Sequence, residues 1–204
     1  MINFKLLLQT FFNKRPVEFL ARTHYSIKEG IISFVVPFLI VSILLAGEIF
    51  LARIIFGFVS GEELVSLLIS VIILVIALIF SVLILLFAEL IFYYLFGAVQ
   101  FILAGFFRSD REKMNDFNGS FLVLFASVTL VSGIFMLIPV IGWILAILSY
   151  VYSIVLNFRF IRERFNLSDS QSAIVVFLPV NILLAIILII VTIVSLVLIT
   201  PRFF

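Results

Sequence analysis

The sequence predicts an all-α fold, a polytopic membrane helix bundle with five transmembrane helices. The chain has 204 residues, of which 65% are hydrophobic and only 12% charged. A soluble domain is about 45–50% apolar and about 25% charged, and a globule of this size cannot bury so much apolar surface. The apolar residues also form runs long enough for crossing helices, which need about 20 residues each. Finally, basic residues cluster on alternate connections, as expected of a multi-pass protein.

The first 29 residues predict an amphipathic segment that lies in the membrane interface. Apolar residues recur at i, i+3, i+4 and i+7 from Phe4 to Phe11, which is one face of a short helix. Pro16 suits the first turn of a second short helix that leads toward Gly30. The segment 1–29 is therefore expected to precede the membrane domain as two short helices.

Five spans are predicted in a membrane domain of residues 30–200. The charge-free run that begins at Phe117 is 42 residues long, or about 63 Å as one helix, so it has to turn back. Pro139 and Gly142 mark a tight turn between spans three and four, because proline lacks a backbone donor and glycine relaxes the backbone. Pro179 is expected to kink span five. The predicted spans are 30–58, 64–97 with an extension to 107, 120–138, 141–160 and 171–200.

The second span is the hardest to delimit. Ser60 and Glu63 form a Ser-x-x-Glu capping box before an apolar run, so a helix is expected to begin there. We predict a long tilted helix that bends near Gly97, with residues 98–107 at the membrane surface. The competing interpretation divides residues 64–107 into two separate spans.

Charge placement predicts the orientation. Of the 13 Lys and Arg residues, 11 lie in the N-terminal segment and in the loops after spans two and four, while Arg53 and Arg202 lie opposite. The positive-inside rule then places the N-terminus inside and the C-terminus outside. The basic loop residues are candidates for binding anionic headgroups or an acidic partner, although topology alone also explains them. These residues are Arg108, Arg111, Lys113, Arg159, Arg162 and Arg164.

Ionisable groups within a membrane are costly, so each is a candidate for function. Glu48 and Arg53 are expected near the outer boundary, as an interfacial pair whose side chains reach water. Glu89 has two interpretations. It lies near the inner interface if span two begins crossing at Leu64. It lies nearer mid-membrane, within reach of Glu48, if the crossing part is instead the later stretch that ends at Phe107. The second arrangement predicts a proton- or cation-linked site.

Uncharged polar residues in the later spans have a structural and a functional interpretation. Tyr150 and Asn157 lie on span four, and Asn181 lies on span five beside Pro179. Such residues commonly join membrane helices through interhelical hydrogen bonds. The alternative is a polar pathway, in which the asparagine and proline of span five expose a backbone carbonyl to a ligand.

The sequence argues against catalysis and metal binding. Cysteine is absent, which excludes disulfides and thiolate metal sites. The single histidine, His24, cannot form a histidine cluster. There is no Gly-x-Ser-x-Gly, His-Glu-x-x-His or phosphate-binding glycine motif. We therefore expect a protein that is not an enzyme, has no metal or cofactor, and does not bind nucleic acid.

Several short motifs spread over residues 16–191 share a pattern with a known family of membrane proteins. They are Pro16-Val17-Glu18-Phe19, Ser26-Ile27-Lys28-Glu29-Gly30, residues 121–127, the turn Pro139-Val140-Ile141-Gly142-Trp143, and, within residues 155–179, Leu167-Ser168, Ala173 and Pro179. Together they resemble the Yip family, the Ypt/Rab-interacting five-span membrane proteins.

The resemblance implies a membrane-organising or partner-binding module without catalysis. Eukaryotic relatives act in vesicle traffic, bind Rab-class GTPases and usually carry a long cytosolic N-terminal region. Here only about 30 residues precede the first span of crossing length, which favours a prokaryotic relative in the cytoplasmic membrane. The expected partners are the lipid bilayer and other membrane proteins or a second copy. The alternative function is a small transporter, channel or lipid-handling protein that uses Glu89 and Glu48.

Overall fold

The computed structural model describes residues 4–107 and 112–199, and within these ranges all regular structure is helical. Two short helices, α1 (Phe4–Phe12) and α2 (Lys14–Arg22), precede five long ones. The five are long and apolar enough to cross a membrane, which confirms the predicted five-span helical fold. They are α3 (Ile27–Val59), α4 (Leu64–Gly105), α5 (Met114–Met136), α6 (Ile141–Phe165) and α7 (Asp169–Ile199).

Helix α4 agrees with the predicted long helix and excludes the competing interpretation for residues 64–107. It is one continuous helix of 42 residues, so the division into two spans is wrong. Gly97 lies within this helix and packs against Asn118 and Phe121 of α5. Beyond Gly97 the helix stays in contact with the bundle, since Gln100 and Ala104 are fully buried.

The capping box lies at a different helix from the one predicted. The hydroxyl of Ser60 donates to the carbonyl of Gly57 at 3.1 Å, and α4 begins at an N-cap, Glu63, whose side chain makes no capping hydrogen bond. The actual capping box starts α3. There the amide of Glu29 donates to the Ser26 hydroxyl, and the Ser26 amide donates to the Glu29 carboxylate.

The turn between α5 and α6 lies at residues 137–140, where the proline–glycine pattern predicts it. The amide of Gly142 donates to the carbonyl of Ile138 at 3.0 Å. A side chain at Gly142 would overlap the Phe135 carbonyl, so the close approach requires glycine. Pro179 lies inside α7 and does not end that helix.

Helix α5 is the central helix of the bundle. Every residue from Phe117 to Gly133 is buried, because α1, α3, α4 and α6 all pack against it. Glycines permit the closest of these approaches. A Cβ at Gly30 of α3 would meet the backbone of Gly119, and a Cβ at Gly133 would meet Val41. Close packing through small residues is typical of membrane helices.

The five spans differ in length, and this divides the molecule into two parts. At about 1.5 Å per residue, α5 and α6 are roughly 35–38 Å long, whereas α4 is about 63 Å. Val41 packs near the end of α5, so the α3–α4 hairpin continues for about 18 residues, or about 27 Å, beyond it. We call residues 42–59 and 64–82 the far hairpin. The opposite end, where α2, the start of α5 and the α6–α7 connection meet, is the basic end.

Candidate functional site

The polar residues of α4 lie on one face of the helix. Glu89, Tyr93, Gly97 and Gln100 follow one another at spacings of four, four and three, which is a single helical face. This face points into the bundle: Tyr93 and Gln100 are buried and Glu89 is half-buried. Glu89 therefore lies at the partly exposed edge of this buried face, whereas many of its neighbours on α4 are exposed.

A cavity of about 200 Å³ lies beside this face, between α4, α5, α6 and α7. Its wall combines aromatic rings from three helices with hydroxyl and carboxamide groups, and α7 closes it with valines. The lining residues are Phe92, Tyr93, Phe96, Phe125, Tyr150, Ser153, Ile154, Asn157, Val176 and Val180.

Ring contacts between helices show which residues around the cavity lie at the same level along the bundle. Tyr93 stacks on Phe125 with centroids 4.3 Å apart, and α4 and α5 run antiparallel, so Glu89, one turn before Tyr93, lies level with Thr129, one turn after Phe125. The carboxylate of Glu89 acts electrostatically on both Tyr93 and Tyr150. Glu89 therefore lies one turn beyond the lining residue Tyr93, on the side nearer the far hairpin, and is not itself a lining residue.

Three buried polar atoms in this part of the bundle have no hydrogen-bond partner among the described residues. They are Oδ1 of Asn157, which lines the cavity, and Oε2 of Glu89 and Oγ1 of Thr129, which lie one turn beyond the lining residues Tyr93 and Phe125. A buried polar group without a partner costs about 1–3 kcal/mol, so three of them in one region are energetically unfavourable. Such a cluster is typical of a site built to contact another molecule.

An apolar groove of about 280 Å³ adjoins the cavity on its α4–α7 side. Phe92 and Phe96 line both spaces, and their rings stack with centroids 5.7 Å apart. These two rings therefore form the wall between a partly polar space inside the bundle and an apolar space between two helices. The remaining groove residues are Leu95, Val99, Pro179, Ile182, Leu183 and Ile186.

The structure separates Glu48 from Glu89. Arg53 of α3 contacts Ser70 of α4, and Phe34 of α3 contacts Tyr93 of α4. This antiparallel register places Glu48 about 13 residues, or roughly 20 Å, from the level of Glu89. The hypothesis of a shared carboxylate site is therefore wrong, and Glu48 is exposed on the far hairpin.

The predicted pairing of Glu48 with Arg53 is also corrected. Arg53 donates to the carboxylate of Glu62 at 2.7 Å and to the hydroxyl of Ser70 at 2.7 Å. The connection between α3 and α4 thus supplies the acidic partner. On α7, Asn181 is exposed and lines neither the cavity nor the groove. Its neighbour Val180 lines the cavity, and Pro179 lines the groove. Of the predicted polar residues, the structure brings together Glu89, Tyr150 and Asn157.

At the basic end, Arg164 is buried with its side chain 2% exposed. It donates to the carbonyls of Ala21 and Thr23 at 2.8 and 2.6 Å and to the carboxylate of Glu112. Nδ1 of His24 lies 3.0 Å from Nη2 of the same guanidinium, so His24 has a charged neighbour. Arg164 therefore fixes the end of α2 to α6, and its assignment to an exposed basic surface is wrong.

The other basic candidates have mixed environments. Arg162 pairs with Asp169 at 3.0 Å and with Glu163 at 3.3 Å. Lys113 is exposed and Arg159 is half-buried, while Arg108 and Arg111 lie outside the described residues. Nearby, burial and the carboxylate of Glu29 raise the pKa of the Tyr25 hydroxyl. The acidic partners thus balance much of the positive charge that the sequence suggested for this surface.

Sequence reasoning missed Tyr93, Thr129 and the aromatic wall of the cavity. The spacing of Glu89, Tyr93 and Gln100 was a usable signal, because it places the polar residues of an apolar helix on one side. Gln100 of α4 and Asn118 of α5 are fully buried, and their carboxamides have no partner among the described residues. They continue the line of polar groups toward the basic end.

Comparison of the chain with protein-family models, with curated proteins and with solved structures finds no match. The resemblance to the Yip family therefore stays a prediction from the sequence motifs. The function has to be argued from the geometry of the bundle.

Proposed function

We propose that this chain binds an amphiphilic molecule within the membrane and handles or transports it without catalysis. The observation that carries the proposal is the cavity lined by Tyr93, Tyr150, Ser153 and Asn157 together with the apolar groove that shares its Phe92–Phe96 wall. In the cavity wall, Oδ1 of Asn157 is buried without a partner among the described residues, and the groove is lined by apolar side chains. An amphiphile has matching halves, a polar head for the cavity and an apolar chain for the groove.

The dimensions suit such a ligand. The two spaces have volumes of about 200 and 280 Å³, and ligand sites commonly have about 300–1,000 Å³. Neither space alone holds a lipid-like molecule, whereas both together hold its polar end and the start of its chain. The groove is reached from the side of the bundle, because Leu95, Ile182 and Ile186 are exposed on its rim.

The proposal is tested by the lipids that copurify with the protein. Leu183→Trp fills the groove, and Leu188→Trp, on an exposed part of α7 outside it, is the matched control. The protein is purified in phosphatidylglycerol nanodiscs and bound molecules are identified by native mass spectrometry. We expect one retained amphiphile with the wild type and the control, and its loss with Leu183→Trp. Equal retention by all three proteins contradicts the proposal, as does no retention by the wild type.

For the orientation, we propose that the basic end faces the cytoplasm of a prokaryotic cell, with the N-terminus inside and the C-terminus outside. The distribution of Lys and Arg supports this arrangement. Because the chain has no cysteine, single cysteines report sidedness cleanly. Val140→Cys, in the α5–α6 turn, is expected to react with an impermeant maleimide on intact cells. Lys113→Cys should react only after permeabilisation, and the reverse pattern contradicts the orientation.

A second candidate is a Yip-type module that organises the membrane or binds a membrane partner. The specific observation in its favour is the far hairpin, which extends past α5 and exposes large apolar side chains such as Ile55 and Phe56. Ile55→Ser is compared with Val151→Ser, a similarly exposed position on α6. A stoichiometric partner recovered with wild type and Val151→Ser but lost with Ile55→Ser supports this function. Recovery that is equal for both variants contradicts it.

A further inference from the structure

We infer that the head group held in the cavity is an organic cation of the ammonium class, bound between Glu89 and the aromatic wall. The inference rests on the proposed function, since it names the class of ligand for the same site. It follows from the charge and the chemistry of the groups around the cavity.

Charge complementarity excludes an anionic head group. None of the described lining residues is charged, and the nearest carboxylate on the same face of α4 is that of Glu89, one helical turn before the lining residue Tyr93. A phosphate, sulfate or carboxylate would therefore meet a carboxylate and no cation. A cationic head group instead provides Glu89 with the opposite charge that a carboxylate within a membrane requires.

The aromatic wall selects for the same charge. Five rings line the cavity, from Phe92, Tyr93, Phe96, Phe125 and Tyr150. The face of an aromatic ring is electronegative and attracts ammonium groups, most strongly when water is excluded. A carboxylate beside several rings is the arrangement that favours an organic cation over a small hydrated metal ion, because the rings cannot replace the oxygen ligands that such an ion prefers.

The polar groups without partners agree with this assignment. Oδ1 of Asn157 lies at the basic-end side of the cavity and Oε2 of Glu89 at the other, and both of these atoms accept hydrogen bonds. Hydrogen-bond acceptors therefore lie toward both ends of the cavity, and aromatic rings line it between them. A head group that carries positive charge and N–H donors satisfies this set better than one that carries acceptors.

The test uses three photoreactive probes with the same alkyl-diazirine chain and different heads, namely ammonium, hydroxyl and sulfonate. Each is added to the protein in phosphatidylglycerol nanodiscs, and labelled peptides are mapped by mass spectrometry. Labelling of the α7 groove residues is divided by labelling of the far hairpin, which corrects for partitioning of each probe into lipid. We expect the ammonium probe to exceed the hydroxyl probe about tenfold, as expected of a desolvated cation held by a carboxylate and aromatic rings.

Two carboxylate variants provide the decisive comparison. Glu89→Gln should reduce ammonium labelling to the level of the hydroxyl probe, whereas Glu48→Gln, about 20 Å away along the bundle, should leave it unchanged. Tyr150→Leu removes one ring but keeps the carboxylate, and it should reduce ammonium labelling specifically. It serves as the second variant if Glu89→Gln does not fold.

The outcomes separate the two proposals. If all probes label the groove equally and Glu89→Gln has no effect, the assignment of an ammonium head is wrong while amphiphile binding stands. Preference for the sulfonate probe also overturns the assignment. If no probe labels the groove above the far hairpin, the proposed function itself is wrong.

Discussion

Helices α5 and α4 are both apolar enough to cross a membrane but have opposite surroundings in the structure. In an apolar stretch of 18 residues taken from each helix, 83% of the residues are buried in α5 and only 6% in α4. Helix α5 contains Asn118, Gly119, Ser127 and Gly133, whereas the first half of α4 is mostly Leu, Ile and Val. Small and polar residues thus mark contact with protein, and an unbroken aliphatic surface marks contact with lipid.

The same contrast appears in two arginines at opposite ends of the molecule. The side chain of Arg164 at the basic end is 2% exposed, and that of Arg53 beside the far hairpin turn is 24% exposed. Both donate to a carboxylate and to a second group, but only Arg164 joins segments distant in the chain. The basic end therefore depends on a buried polar connection, and the far hairpin on local contacts.

The largest expected effect is the loss of Arg164. Arg164→Ala leaves Glu112 and the carbonyls of α2 without their donor, so we expect a loss of about 3–5 kcal/mol in the free energy of unfolding. Arg162→Ala, at a more exposed pair, should cost at most about 1 kcal/mol. Denaturant titration in detergent, followed by far-ultraviolet circular dichroism, measures both. Equal effects would contradict the distinction between a buried and an exposed arginine.

A smaller effect is expected where α3 meets α5. Gly30→Ala places a Cβ against the backbone of Gly119, so the helices have to separate, at a cost of about 1–3 kcal/mol. Gly47→Ala is the control on the far hairpin, where a Cβ meets nothing within 4 Å. It should be neutral or stabilising by up to about 1 kcal/mol. Thermal unfolding in detergent compares the two, and similar melting temperatures would show that the tight contact is absent.

Much of the fold could be predicted from the sequence, because length, hydropathy and breakers are local signals. The apolar runs and the Pro139–Gly142 pair were sufficient to place five spans and the α5–α6 turn. The sequence favoured one long helix over residues 64–107 but did not exclude two spans, because a bilayer about 30 Å thick suggests a break in an apolar run of this length. The packing of Gly97 against α5 could not be predicted, since such a contact is not visible in one sequence.

The candidate site was predictable only in part. Glu89, Tyr150 and Asn157 were identified by their polarity, which is a property of single residues. Their meeting at one cavity depends on the register between α4, α5 and α6, and the separation of Glu48 from Glu89 depends on the register between α3 and α4. Register between membrane helices is set by side-chain packing and close contacts between small residues, so residue type alone does not reveal it.

The two serines at the helix starts test the corrected capping assignment. Ser26→Ala removes the capping box of α3 and should cost about 1 kcal/mol. Ser60→Ala removes only a hydrogen bond to the carbonyl of Gly57, so we expect less than about 0.5 kcal/mol. Unfolding measured under the same conditions distinguishes the two positions. A larger loss for Ser60→Ala would restore the predicted capping box before α4.

The smallest effect is expected for the pair of Arg53 and Glu62, and it locates the edge of the hydrocarbon layer. Both side chains are partly exposed in the protein. If water or lipid headgroups surround them, a double-mutant cycle with Arg53→Ala and Glu62→Ala should give a coupling of at most about 1 kcal/mol. If hydrocarbon surrounds them, removing one partner leaves an unpaired charge in lipid, and the single variants should each cost several kcal/mol. The first result places the α3–α4 turn at the membrane surface. The second would place that turn inside the membrane and contradict the expectation that Arg53 lies near the outer boundary, with its side chain reaching water.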